Sequence, residues 1–205
     1  MKNYLIISLL FLSLGYSQKE YNINDLIDMD NGLWTIKFSD EPITGKVYGY
    51  FGEEGNLKKV YMGKLLNGRS EGKFVDYYHS TGRKSLESYF KDGKRHGLHT
   101  SWYENGQKKE EKNFKDDKLN GLWTEWYENG QMLSKRIYKD GEFDGLITEW
   151  YENGKKSGEI NFKNGKKDGL TTLWYENGKK EYEGNFKNDK LISSKKWNED
   201  GSVKE

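Results

Sequence analysis

The chain has 205 residues, of which 33% are hydrophobic and 33% are charged, and its net charge is +1. Because Lys and Arg barely outnumber Asp and Glu, no positive excess attracts nucleic acid or an anionic membrane surface. Cysteine is absent, which excludes disulfides, a thiol nucleophile and a Cys-based metal site.

The low hydrophobic content, with a mean hydropathy of −1.06, is compatible with a disordered chain. Two features of the composition argue against disorder. Aromatic residues make up 15% of the chain, and Gly occurs 24 times against a single Pro. Many aromatic residues together with abundant Gly favour short strands that are joined by tight turns.

Residues 1–17 have the pattern of a secretory signal peptide. Lys2 gives a positive start, residues 4–14 form a mostly apolar run, and Gly15 and Ser17 place small residues before Gln18. The apolar run is shorter than the ~20 residues that a membrane-spanning helix needs. The sequence therefore predicts a secreted or periplasmic protein whose signal peptide is cleaved after Ser17.

The rest of the chain is dominated by a repeat of 24 residues. We predict an N-terminal cap over residues 18–44, hairpin repeats over residues 45–186, and a degenerate repeat or cap over residues 187–205. The most regular part is a Trp-Tyr-Glu-Asn-Gly block, preceded by a Gly and followed by a second aromatic residue. These positions are Trp102, Trp126, Trp150 and Trp174; Phe90, Phe114, Tyr138, Phe162 and Phe186; and Gly97, Gly121, Gly145 and Gly169.

Each unit reads as two strands and two turns. Residues 121–127 and 133–138 are rich in strand-forming residues, whereas residues 128–130 (Glu-Asn-Gly) and 139–141 (Lys-Asp-Gly) are hairpin turn signals. No long segment has the 3.6-residue apolar period of a helix. The predicted fold is therefore all-β: an elongated antiparallel meander of tandem β-hairpins, mostly one layer deep and without significant helix after the signal peptide.

Two turns are compatible with Glu128–Gly130. A two-residue turn puts Trp126 and Tyr138 on opposite faces of the sheet, because side chains alternate along a strand. A three-residue turn pairs Tyr127 with Gln131 and puts Trp126 and Tyr138 on one face. We favour the three-residue turn, since the two most regular aromatic positions then form one cross-strand ladder.

The blocks Trp-Tyr-Glu-Asn-Gly-Gln/Lys and Phe-Lys-Asp/Asn-Gly-Lys, with Asp168-Gly169-Leu170 after the last turn, resemble the MORN-repeat variant family (membrane occupation and recognition nexus). The stretch at residues 38–46 is also similar to the leader of bacterial members. The resemblance covers residues 30 to 201 and implies a ribbon of β-hairpins with a scaffold or binding role. Many bacterial members carry an automatic label as antitoxins of toxin–antitoxin systems, which fits poorly with a signal peptide.

No residue pattern indicates catalysis. His96 and His99 are three apart, so in an extended strand they point to opposite faces and do not form a metal pair. The turn carboxylates Glu104, Glu128, Glu152 and Glu176 recur about two strands apart, too far for a shared proton. The stretch Asp28–Gly32 lacks the spacing of a calcium loop. We therefore predict no enzyme activity, no catalytic residue, no cofactor and no metal site.

The aromatic rows have two readings. In the structural reading, the Trp residues and their Phe/Tyr partners hold the sheet together. In the functional reading, some aromatics stay partly exposed and bind a partner, because Trp and Tyr combine stacking with edge hydrogen bonds. The exposed candidates are Tyr103, Tyr127, Tyr151 and Tyr175. The sequence predicts a protein partner first and a glycan or cell-envelope polymer second, with no nucleic acid and with lipid binding unfavoured.

The signal peptide gives the first testable prediction. The exported protein is expected to begin at Gln18, because small residues at −3 and −1 direct cleavage after Ser17. N-terminal sequencing of the chain isolated outside the cytoplasm measures this directly. An exported chain that retains Met1 would contradict the prediction.

Overall fold

The structure of the chain, a computed structural model, describes residues 19–28, 34–36, 42–52 and 56–204. The predicted signal peptide, its cleavage site and most of the Asp28–Gly32 stretch lie outside these ranges. The division into cap, repeats and C-terminal cap stays a prediction. No helix in the described ranges is long and apolar enough to cross a membrane.

Seventeen strands and one 3-10 turn make up the described structure. The N-terminal part contains β1 (Glu20–Asn22), the 3-10 turn (Ile23–Asp25), β2 (Leu26–Asp28), β3 (Trp34–Ile36), β4 (Gly45–Phe51) and β5 (Lys58–Leu66). The middle contains β6 (Arg69–Tyr77), β7 (Lys84–Lys91), β8 (Lys94–Trp102), β9 (Lys108–Lys115), β10 (Lys118–Trp126) and β11 (Met132–Lys139). The last part contains β12 (Glu142–Phe143), β13 (Gly145–Trp150), β14 (Lys156–Lys163), β15 (Lys166–Trp174), β16 (Lys180–Lys187) and β17 (Lys190–Lys196).

Fifteen of these strands form one open sheet. From β4 onward the sheet follows chain order as an antiparallel meander, with β12 pairing beside β11. The exception is β1, which pairs parallel to β4, while β2 and β3 form a separate two-stranded sheet. The predicted all-β meander of tandem hairpins, without significant helix among the described residues, is confirmed.

Two kinds of turn alternate along the ribbon. The Lys-Asp-Gly turns have two consecutive residues with positive φ, as in Asp140 (52°) and Gly141 (95°), which is the backbone of a type I′ hairpin turn. The Glu-Asn-Gly turns are three residues long, since the Tyr127 amide donates to the Gln131 carbonyl at 2.8 Å. The three-residue turn predicted from the sequence is therefore confirmed.

The predicted arrangement of the aromatic residues is wrong, because a β-bulge follows each three-residue turn. Glu125 pairs with Ser134, but its neighbour Trp126 pairs with Met132, so Leu133 is an extra residue on β11. The bulge inverts the alternation of the return strand. Tyr138 therefore shares a face with Glu125, and Trp126 lies on the opposite face. Two aromatic ladders result, one on each side of the sheet.

Neighbouring hairpins are also linked end to end at the I′ turns. The amides of Gly141 and Gly165 donate to the carbonyls of Leu119 and Phe143, each at 2.8 Å. Each of these hydrogen bonds joins a type I′ turn to the strand that begins after the previous type I′ turn, about 22 residues earlier in the chain. These bonds satisfy backbone groups at the edge of the ribbon and fix each hairpin against its neighbour.

The N-terminal end has a small two-layer core. Val47 and Leu65 of the sheet are fully buried, and Leu26 and Ile43 from the cap segments pack against them. An apolar cavity of about 210 Å³ lies between the cap and the sheet, with Trp34 on one side and Phe74 and Ser88 on the other. Beyond β7 the ribbon continues as a single layer, as expected.

The Gly column gives a prediction about stability. Gly121 has φ of 103°, a region that is costly for residues with a Cβ, although a Cβ there would meet no atom closer than 3.7 Å. Gly121→Ala is expected to lower the free energy of unfolding by about 1–2 kcal/mol, because the cost lies in the backbone alone. Chemical denaturation measures this change.

Gly158→Ala is the matched control. Gly158 also lies in a strand but has no positive φ, and an added Cβ would meet the flexible end of Leu173 at 3.2 Å. This substitution is expected to change the stability by less than about 0.5–1 kcal/mol. If both variants lose the same free energy of unfolding, the positive φ of Gly121 is not the reason that this position requires glycine.

Candidate interaction surface

The register divides the sheet into two faces with different composition. Five hairpins, β6–β7, β8–β9, β10–β11, β13–β14 and β15–β16, place equivalent residues in columns across the strands. On one face the columns keep the same residue type in most hairpins from β8–β9 to β15–β16, and we call it the constant face; the exceptions in β10–β11 are Met132, Lys135 and Ile137. On the other face most columns change residue type at every hairpin, and we call it the variable face.

The constant face has the features of a structural surface. Its columns are Leu98, Leu122, Leu146 and Leu170; Thr100, Thr124, Thr148 and Thr172; and Trp102, Trp126, Trp150 and Trp174. All four Thr side chains are buried. Lys108 pairs with Glu111 at 2.5 Å, and its ammonium lies 5.6 Å from the Trp126 ring. The bulge explains why residues three apart in a strand can meet on one face.

The variable face keeps one aromatic column and changes the others. The kept column is Phe90, Phe114, Tyr138, Phe162 and Phe186. Four columns carry a different residue type in each of the five hairpins: Phe74, His99, Trp123, Ile147 and Thr171; Leu86, Glu110, Ser134, Gly158 and Tyr182; Ser88, Lys112, Arg136, Ile160 and Gly184; and Ser70, Arg95, Leu119, Phe143 and Lys167.

A half-buried polar band crosses the middle of the variable face. Ser88 Oγ contacts His99 Nδ1, and His99 Nε2 lies 3.7 Å from Glu110 Oε1. The Lys112 ammonium donates to the same Glu110 oxygen at 2.8 Å. His99 and Lys112 together lower the pKa of Glu110 to about 2, although burial opposes this shift.

The band continues on the next hairpins. Glu125 accepts hydrogen bonds from the Ser134 hydroxyl and from the Arg136 guanidinium, which also reaches Glu149 at 3.4 Å. The Arg136 guanidinium lies 5.3 Å from the ring of Trp123. Each half-buried charge in the band thus has an opposite charge beside it, which offsets the cost of its partial removal from water.

The contact between Ser88, His99 and Glu110 has the residue types of a nucleophilic triad but not its geometry. Ser88 is only 2% exposed, so its hydroxyl cannot reach a substrate without movement of the sheet. His99 contacts Ser88 through Nδ1, and its Nε2 lies 3.7 Å from Glu110, a longer separation than the hydrogen bond that orients the base in a triad. We interpret the three residues as part of the polar band.

The predicted tyrosine set forms a ladder between hairpins. The hydroxyl of Tyr127 donates to the Trp150 carbonyl at 2.8 Å, and the others make the same bond to the next Trp along the chain. The remaining members are Tyr103, Tyr151 and Tyr175, whose acceptors are Trp126, Trp174 and Trp197. Burial raises the pKa of these four tyrosines. They are half-buried rather than fully exposed, and their role in binding stays a prediction.

The other candidate residues are dispersed. His96 Nδ1 lies 3.2 Å from Asp116 at a turn, apart from the His99 contacts. The turn carboxylates Glu104, Glu128, Glu152 and Glu176 are exposed. Within the described ranges, no three His, Asp or Glu residues are close enough together to hold a metal ion.

This geometry defines an all-β repeat protein in which tandem hairpins form one long sheet. The family model of the MORN repeat variant matches residues 95–116, 119–140, 143–164 and 167–188, each a pair of neighbouring strands. Residues 95–188 thus form four tandem repeats of the MORN-variant family, as the sequence motifs indicate. MORN repeats are in general non-enzymatic modules that bind proteins or membranes. A comparison with curated proteins gives no match.

Sequence reasoning missed the polar band and the variable columns. It followed the positions that repeat, and those positions hold the sheet together. A signal was present in the positions that change at the same 24-residue period, such as His99, Trp123 and Ile147. Assigning them to one face required the position of the bulge, because one extra residue inverts every later side chain.

The low pKa of Glu110 gives a prediction about acid stability. A carboxyl with a folded-state pKa of about 2 and an ordinary unfolded pKa stabilises the fold above about pH 4.5 and loses this contribution as the pH falls toward 2. Glu110→Gln is therefore expected to cost about 1–2 kcal/mol of stability at pH 7, and the difference from the unmutated chain should vanish near pH 2. Urea denaturation at several pH values measures both quantities.

Glu111→Gln is the control on the constant face. Glu111 pairs with Lys108, but both side chains are about a third or more exposed, and such surface pairs contribute less than about 0.5 kcal/mol. The hypothesis fails if the stability difference for Glu110→Gln is the same at pH 7 and pH 2.

Proposed function

We propose that this chain is a non-catalytic scaffold that binds a protein partner through the variable face. One observation carries the proposal: from β8 to β16, neighbouring hairpins keep most residues of one face and change most residues of the other. Positions that only hold a sheet together have the same task in every hairpin and keep the same chemistry. A surface that recognises an asymmetric partner needs a different side chain in each hairpin.

The chemistry of the variable face suits a protein surface. Its central band combines half-buried charges with the aromatic ring of Trp123, and its outer positions include the partly exposed Arg95 and Glu149. Protein interfaces are enriched in Trp, Tyr and Arg, with charged groups around them. A long ribbon distributes such contacts over many hairpins instead of enclosing a small molecule in one cleft.

A carbohydrate or cell-envelope polymer is the second candidate. Trp123, Tyr138, Phe143 and Phe162 form an aromatic row on the variable face, with centroid distances of 5.7, 4.6 and 5.0 Å between successive rings. A row of rings offers stacking surface for sugar units. Binding of the chain to a glycan array or to peptidoglycan would favour this candidate over a protein partner.

We further propose that the chain acts outside the cytoplasm, in the periplasm or after secretion. The signal-peptide pattern of residues 1–17 supports this location. An antitoxin-like role, by analogy with labels on bacterial proteins that share the repeat, fits this location less well, because such antitoxins act on cytoplasmic toxins. An extracytoplasmic protein-binding scaffold agrees with both the repeat and the leader.

The test begins with capture of partners from the envelope fraction of the producing cell, followed by affinity measurements on each purified candidate. Arg95→Glu and Glu149→Lys change exposed charges on the variable face, and we expect each to weaken binding about tenfold, a loss of ~1.4 kcal/mol. Tyr127→Ala is expected to weaken binding partially, because the contacts are shared among the repeats.

Leu122→Glu and Lys135→Glu are the matched controls on the exposed constant face, and they are expected to leave the affinity within about twofold. Tyr127→Phe removes only the hydroxyl and separates the stability of the ladder from binding. Binding that depends on the constant-face variants and not on Arg95 or Glu149 would refute the proposal. Complete loss from a single substitution would refute the distribution of contacts among repeats.

A further inference from the structure

A second hollow lies at the C-terminal end of the variable face. It has a volume of about 420 Å³ and is bordered by residues of β14 to β17 and by Lys204. Its apolar wall includes Ile160, Leu173 and Phe186. Unlike the apolar cavity under the N-terminal cap, this hollow has a polar side, which gives it the character of a ligand site.

The hollow lies where two of the four variable columns reach their smallest residues, Thr171 and Gly184. The column that carries Lys112 and Arg136 in the central hairpins carries Gly184 in the last one. The Tyr182 ring lies over this position, since a Cβ on Gly184 would be 2.1 Å from the Tyr182 hydroxyl oxygen. In the last hairpin the Tyr182 ring therefore covers Gly184 in place of a long basic side chain, and it forms part of the wall of the hollow.

The charge of the hollow is positive. Among the residues that the structure describes, Lys167, Lys196 and Lys204 border it, and Glu181 supplies the one carboxylate. Among the described residues, none of the three ammonium groups is in an ion pair, although ion pairs are frequent elsewhere on the ribbon. Glu181 faces the tyrosine ladder, where its charge contributes to the raised pKa values of Tyr151 and Tyr175.

A buried hydroxyl in the wall has no partner. Thr171 borders the hollow and is 3% exposed, and its Oγ1 makes no hydrogen bond to any residue that the structure describes. A buried polar group without a partner is unfavourable, and Trp123 Nε1 on the same face shares this state. Thr172, its neighbour on the constant face, is as deeply buried but is not among the unsatisfied groups.

We propose that this hollow binds an acidic segment of the partner polypeptide, an Asp or Glu side chain next to an apolar one. This inference rests on the proposed function and specifies which part of the partner is recognised. The carboxylate is held by the three lysines, and the apolar side chain packs against Ile160 and Leu173. Charge-assisted hydrogen bonds to a carboxylate are about twice as strong as neutral ones.

The walls favour a polypeptide over an acidic polysaccharide. Sugar units need a flat, exposed aromatic face, but the Phe186 ring is covered by the Lys167 ammonium at 5.3 Å, and the Tyr182 ring lies against Gly184. A membrane surface is also a poorer fit, because the lysines border a recess and the chain as a whole has a net charge of only +1.

The test is selection of a random 12-residue peptide library on the purified chain, in parallel with a Lys167→Met, Lys196→Met, Lys204→Met triple variant. We expect the unmutated chain to enrich peptides with Asp or Glu beside Leu, Ile, Phe or Tyr. The triple variant should not enrich them. A selected peptide should bind at least about tenfold more weakly to the triple variant, and its affinity for the unmutated chain should fall as salt rises.

Thr171→Val and Thr172→Val form the matched pair of controls. Thr171→Val removes the hydroxyl without a partner, so the chain should unfold at the same or a higher denaturant concentration, and because this hydroxyl is buried in the wall the peptide affinity should stay within about twofold. Thr172→Val should leave peptide affinity unchanged, since its side chain lies on the opposite face. These variants separate recognition from folding.

Three results would overturn the inference: no acidic enrichment, enrichment that persists in the triple variant, or lysine-dependent binding of polygalacturonate fragments or anionic vesicles in place of peptides. If the captured partner still depends on Arg95 and Glu149 while the hollow binds no acidic peptide, the proposed function stands and this inference alone fails. If neither dependence is found, both fail.

Discussion

The whole structure depends on how the bulge and the two turns fix the register of each hairpin. A type I′ turn on one side, a three-residue turn on the other, and one extra residue after the longer turn bring the chain back to the same orientation after each unit. Because a one-residue slip would exchange the two faces of a strand, this register decides which side chains meet. The two turn types and the bulge therefore determine the composition of both faces.

With the register fixed, hydrogen bonds between neighbouring hairpins take over much of the role of a hydrophobic core. Tyrosine hydroxyls bond to the next Trp carbonyl at one edge of the ribbon, and turn amides bond to strand carbonyls at the other. Buried Thr residues and half-buried Trp residues tie the strands together on the constant face. Each hairpin is thus stabilised mainly by its neighbours, as in other repeat proteins.

Because the constant face and the hydrogen bonds between hairpins stabilise the sheet, the variable face tolerates different residues at equivalent positions. Its aromatic column continues the packing, and its remaining columns differ from hairpin to hairpin without disturbing the backbone links. In the centre they form a band of paired charges around Glu110 and Arg136, and at the C-terminal end they open a basic hollow around Lys167. One scaffold can therefore carry a graded series of chemical environments along its length.

The sequence by itself determined the all-β meander, the 24-residue unit and the three-residue turn, because these depend on local turn chemistry and on the spacing of Gly, Trp and Tyr. It could not assign Trp126 and Tyr138 to their faces, since Leu133 looks like any strand residue and becomes a bulge only when β11 pairs with β10. Contacts such as those of Glu110 with His99 and Lys112 also arise only across paired strands. Only the tertiary structure decided these features. The face on which a side chain lies and the residues that it contacts both depend on which strand positions pair, and no short stretch of sequence contains that information.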